Sequence, residues 1–87
     1  MDLPVRVEFI KASEVCRLRA RGRSSTYADI QNGLLTNPVK IGGTGSSSVA
    51  WPRHEIDMLN AARLAGKSDA EIRQIVEALH LARADAL

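Results

Sequence analysis

The spacing of apolar side chains changes along this chain, and each change marks an element. Val5, Val7 and Phe9 alternate with Arg6 and Glu8, which predicts a half-buried strand with those three inward. Ser13-Glu14 opens a short helix with Val15 and Leu18 on one face and Cys16 beside them, and Gly22 breaks it. Arg23-Ser24-Ser25-Thr26 starts a second helix, since small hydroxyl side chains satisfy the free N–H groups of a first turn. Tyr27, Ile30 and Leu34 supply its apolar spacing and Asn32-Gly33 its stop. After Pro38, Val39-Lys40-Ile41 and Val49-Ala50-Trp51 predict two short strands around the flexible loop 42–48. Trp51 anchors this hairpin to the core.

Two further helices follow. Pro52 suits a first helical position, with Glu55 and Asp57 at the positive end, Arg63 and Lys67 at the negative end and Gly66 as the stop. Ile56, Leu59 and Ala62 or Arg63 carry its period. Ser68-Asp69-Ala70-Glu71 has capping-box spacing. Behind it Ile72, Ile75, Val76, Leu79 and Ala82 or Arg83 form a continuous stripe, and Asp69 and Arg73 are placed to pair across one turn. The stripe must be covered, either by the rest of the chain or by a second copy. The fold class expected is mainly α with a small β-hairpin wing: a winged helix-turn-helix over residues 1–66, then an amphipathic helix over 67–87 for packing or dimerisation. On spacing alone, the first two helices fit a generic helical hairpin equally well.

Length and charge sharpen this picture. The 87 residues make one domain, 45% apolar, which excludes disorder by composition. A chain of this size buries only about 60–65% of its unfolded surface, so its stability can lean on a partner. The net charge of +2 names no partner, but its distribution does. Residues 1–54 hold eight basic and four acidic side chains, and residues 55–87 four basic and six acidic. That asymmetry points one half toward a polyanion.

Candidates for chemistry are few. His54 and His80 lie in different helices, outside any cluster of metal-ligand spacing, so no metal is expected. Cys16 reads as a small buried residue, and a single cysteine fits a reducing cytoplasm. The Gly-rich loop lacks the lysine and following helix of a nucleotide cradle, so no cofactor is expected. The first residues lack the basic start and apolar run of a signal peptide, and no apolar run is long enough for a membrane span. Without a paired catalytic constellation the chain is not expected to be an enzyme.

The basic cluster Arg17, Arg19, Arg21 and Arg23 is more specific than the net charge. It covers the end of the first helix, the turn and the first residue of the second. In a helix-turn-helix that second N-terminus enters the major groove while flanking groups hold phosphates. Arginine serves both tasks, as a planar donor for guanine edges and as a permanent cation. Ser24 and Ser25 can cap the helix or donate to phosphate. The plainer reading is an ordinary solvated arginine face.

Glu14-Val15-Cys16-Arg17-Leu18, then Gly22-Arg23-Ser24-Ser25-Thr26-Tyr27, residues 33–42, and Trp51-Pro52 with Glu55-Ile56 together resemble the AlpA family, over roughly residues 9–64. These are small prophage-associated DNA-binding regulators with a MerR-like winged-helix fold, similar in shape to phage excisionases. Thr26 and Asp29 stand where many members of that family have apolar residues. The resemblance implies a sequence-specific regulator of an integrated element, with an excisionase-type architectural factor as the alternative. It places Arg23, Ser24, Tyr27 and Ala28 on a recognition helix and Lys40, Thr44 and Ser46 on the wing. Arg17, Arg19, Arg21 and Lys40 are then expected on phosphates. Partners implied are double-stranded DNA and a second copy, as a homodimer or cooperative multimer, through Ile72, Ile75, Val76 and Leu79. A rival without DNA is a protein-interaction module docking through the same stripe.

Overall fold

The computed structural model describes residues 6–45 and 47–86. The order is β1 (Phe9–Ile10), α1 (Ala12–Arg19), α2 (Arg23–Gln31), β2 (Val39–Lys40), β3 (Val49–Pro52), α3 (Arg53–Leu64) and α4 (Asp69–Ala84). The described chain is mainly helical, with one small antiparallel sheet in which β3 lies between β1 and β2. Phe9 stands opposite Pro52 and Ile10 opposite Trp51, while Val39 and Lys40 stand opposite Ala50 and Val49.

The expected first strand is corrected in its parity. Ile10 is buried, whereas Phe9 and Val7 are exposed, and Val5 lies outside the described residues. Only Phe9 and Ile10 pair with β3, and in that pairing Ile10 shares a face with the buried Trp51. A one-residue shift of phase turns every side chain to the other side.

α1 ends sooner than expected. Ala20 takes a left-handed conformation (φ 55°), and the break falls there. Gly22 instead begins α2 as its N-cap, and no side chain caps that first turn. At the far end of α2, Gly33 (φ 76°) turns the chain. A β-carbon there would sit 3.4 Å from Arg73 Cγ, and Arg73 Nε donates to the Asn32 carbonyl at 2.8 Å. A cation from α4 thus satisfies the carbonyl end of α2. The expected Asp69–Arg73 pair does not form, because Asp69 pairs with Arg63 at 3.4 Å.

The capping box at Ser68 forms: the Glu71 N–H donates to Ser68 Oγ at 3.2 Å and the Ser68 N–H to Glu71 Oε1 at 3.1 Å. Those bonds hold the Glu71 carboxyl below the usual carboxylate range. α4 then folds back on α3. Ile72, Val76 and Leu79 join Ile10, Val15, Leu35, Trp51, Ile56, Leu59 and Ala62 in one core, against which Ile75 packs half-buried. A single core therefore spans both sides of the boundary drawn at residue 66. Of the two expected covers for the stripe, its own chain supplies one: Ile72, Val76 and Leu79 are buried in the core and Ile75 is half-buried.

Candidate nucleic-acid interface

α2 has two unlike faces. Its inward face buries Thr26 and Asp29, both polar, instead of a row of aliphatic side chains. An isolated carboxylate there would be costly, and α1 supplies its partner. Arg19 Nη2 donates to Asp29 Oδ2 at 2.6 Å, with both side chains only 8% exposed. Arg19 Nη1 also donates to Thr26 Oγ1 at 3.2 Å, and Cys16 Sγ–H donates to the same hydroxyl at 3.5 Å. Arg21 reaches Asp29 Oδ1 at 3.3 Å from a half-exposed position. Burial alone would raise the Asp29 carboxyl, but Arg19 and Arg21 outweigh it and hold it below the usual range. This network clamps α1 to α2 and sets the rotation of α2.

The outward face of α2 is open. Arg23, Ser24, Tyr27, Ala28 and Gln31 are exposed, and Ser25 is half-buried. Tyr27 leans its ring edge-on against Trp51, with centroids 6.4 Å apart. Its expected place in the apolar spacing is thus half right: one side packs on the core and the other meets solvent. The side chain of Arg23 has no ion-pair or hydrogen-bond partner among the described residues, and neither have the side chains of Lys40 on β2 and Lys11 before α1.

The four arginines of the turn are therefore not equivalent. Arg19 is buried and committed to Asp29, which corrects its expected role on phosphate. Arg17 is exposed and meets Glu14 through two bonds of 2.6 and 2.7 Å, which lower the Glu14 carboxyl and raise the guanidinium. Such an exposed pair is weak and easily exchanged. Arg21 keeps half its side chain in solvent, and Arg23 is free. Thr44 is exposed in the loop between β2 and β3, and Ser46 lies outside the described residues.

Two candidates escaped the sequence reading. Gln31 lies eight residues after Arg23 and shares its exposed face, a relation that the helical period contains. Lys11 is a single cation outside the arginine run and carries no such signal. Among the described residues no group of three or more His, Cys, Asp or Glu could hold a metal, and no helix is long and apolar enough to cross a membrane. Compared with protein-family models, curated proteins and solved structures, the chain matches none.

Proposed function

We propose that this chain binds double-stranded DNA sequence-specifically and regulates transcription of a prophage or other integrated element. α2 enters the major groove, and the β2–β3 hairpin lies alongside as the wing of a winged helix-turn-helix. The observation that carries the reading is the division of α2: a clamped inner face and an outer face offering unpaired Arg23 beside Ser24, Tyr27 and Gln31. An unneutralised arginine on a rigid, exposed helix start suits a guanine edge, and a glutamine suits adenine. Cations of the first half that have no acidic partner among the described residues, Lys11, Arg23 and Lys40 among them, suit a polyanion, as does the AlpA resemblance of residues 9–64. Arg17, Arg21 and Lys40 hold phosphates, and the cytoplasm is the expected site of action. Any homodimer or cooperative multimer on DNA joins through surfaces other than the buried stripe.

The test is a gel shift against the DNA flanking the chain's own gene, over a salt series and with scrambled competitor. Arg23→Ala is expected to cost about 1–3 kcal/mol and relax preference at one base position. Lys40→Ala weakens all sequences alike and lowers the salt slope by about one. Equal affinity for scrambled and flanking DNA overturns the reading.

A further inference from the structure

A cleft of about 480 Å³ lies between the two helical hairpins, α1–α2 on one side and α3–α4 on the other. Arg19, Arg21 and Asp29 line it from the first hairpin, and Asn60, Arg63 and Asp69 from the second. Three cations therefore meet two carboxylates there, and the carboxylates are not shared evenly. Arg19 and Asp29 close on each other at 2.6 Å, both nearly buried, and neutralise one another. Arg21 is left with a 3.3 Å contact to the other oxygen of Asp29, and its side chain is 49% exposed. Arg63 meets Asp69 at 3.4 Å, with 46% of its side chain exposed. A committed guanidinium–carboxylate bond runs to about 2.7–2.9 Å, so both of these arginines are loosely held. Two guanidinium groups on the walls of one cleft repel each other unless an anion lies between them.

We propose that this cleft is a phosphate site, in which Arg21 and Arg63 each take an oxygen of one phosphate group and Asp69 gives up Arg63 to it. The surplus of one positive charge among the lining side chains sets the sign of the ligand. Geometry favours phosphate over carboxylate. A carboxylate fills one guanidinium fork, whereas the non-bridging oxygens of a phosphate serve two forks arriving from different sides. Asn60 Nδ2 donates to the Leu18 carbonyl at 3.0 Å and so ties α3 to α1 at the cleft, which fixes the gap between the two arginines. Arg21 stands two residues before Arg23, where α2 begins, so the cleft borders the helix that the proposed function puts in the major groove. The phosphate is then one of the DNA backbone or a free one. The site stands on the cleft alone; its DNA source rests on the proposed function.

The first arm of the test titrates the full chain with inorganic phosphate at constant ionic strength, chloride making up the balance, and follows the Asn60 side-chain amide and Arg63 Nε–H by NMR. In the wild type both signals shift and saturate. Arg63→Gln abolishes saturation at Asn60. Asp69→Asn frees Arg63 and binds phosphate about two- to fivefold more tightly, a gain that a merely damaged fold does not produce. Shifts that do not saturate, or an affinity indifferent to both variants, overturn the site. The second arm names the source, with the flanking DNA over a salt series. Arg63→Gln is expected to lower the salt slope by about one, on flanking and scrambled sequences alike. An unchanged slope overturns the DNA source, assigns the cleft to a free phosphate and leaves the reading of Arg23 and Lys40 standing. If the wild type binds no DNA, the proposed function falls and the phosphate titration alone decides the site.

Discussion

Among the described residues two carboxylates, Glu55 and Asp29, are buried against arginine, and they differ in what surrounds them. Arg83 grips Glu55 with two parallel bonds, where the carboxylate is 1% exposed and lies 28 residues away in the chain. Arg19 reaches Asp29 across ten residues with one strong bond, and Arg21 stands by as a second cation. The first pair closes the molecule, joining α3, α4 and the entry to the hairpin. The second orients one helix against its neighbour. A buried carboxylate with a single source of positive charge is a point of fragility, and one with a spare cation is not.

The largest effect is therefore expected at Arg83→Met, which leaves Glu55 buried without its cation and should cost about 3–5 kcal/mol in urea unfolding followed by Trp51 fluorescence. Arg19→Met should cost less, about 1–3 kcal/mol, because Arg21 can move in; a loss as large as that at Arg83 breaks the contrast between the pairs. Adding Asp29→Leu to Arg19→Met should recover most of that loss, since two apolar side chains can replace a buried pair.

Acid sharpens the same comparison. The folded Asp29 carboxyl lies below its unfolded value of about 3.9. Its contribution is present in full above that value and is lost as pH falls through the folded one. Below about pH 4 the melting temperature should drop more steeply in the wild type than in Asp29→Asn. The smallest effect is expected at Lys67→Ala, which removes an exposed pair of 3.7 Å with Glu71 and should leave the urea midpoint unchanged within error.

What the sequence made legible was local. The capping box at Ser68, the turn at Gly33 and the pairing of Val39–Lys40 with β3 all follow from short-range rules, and all are present. The candidate site was legible in outline, as arginines about a turn, but not in its internal division. Asp29 on the inner face of α2 was the available signal, since a buried carboxylate demands a cation. The signal did not say which of the neighbouring arginines would be taken. Ala20 hid the end of α1, because a left-handed alanine has no mark in sequence, whereas Gly22 nearby carried a false one.

By itself, then, the sequence determined where helices and hairpin lie, that a basic half precedes an acidic one, and that α4 must bury a stripe. Each of these depends on residues within a turn or two of one another. Only the tertiary structure decided what covers the stripe, which arginine is spent inside and which stays free, and that His80 and Arg83 hold Asn37. Those outcomes depend on pairs of groups brought together from 7 to 46 residues apart. No local period encodes such meetings, because they are chosen by the cost of leaving a buried charge or N–H without a partner.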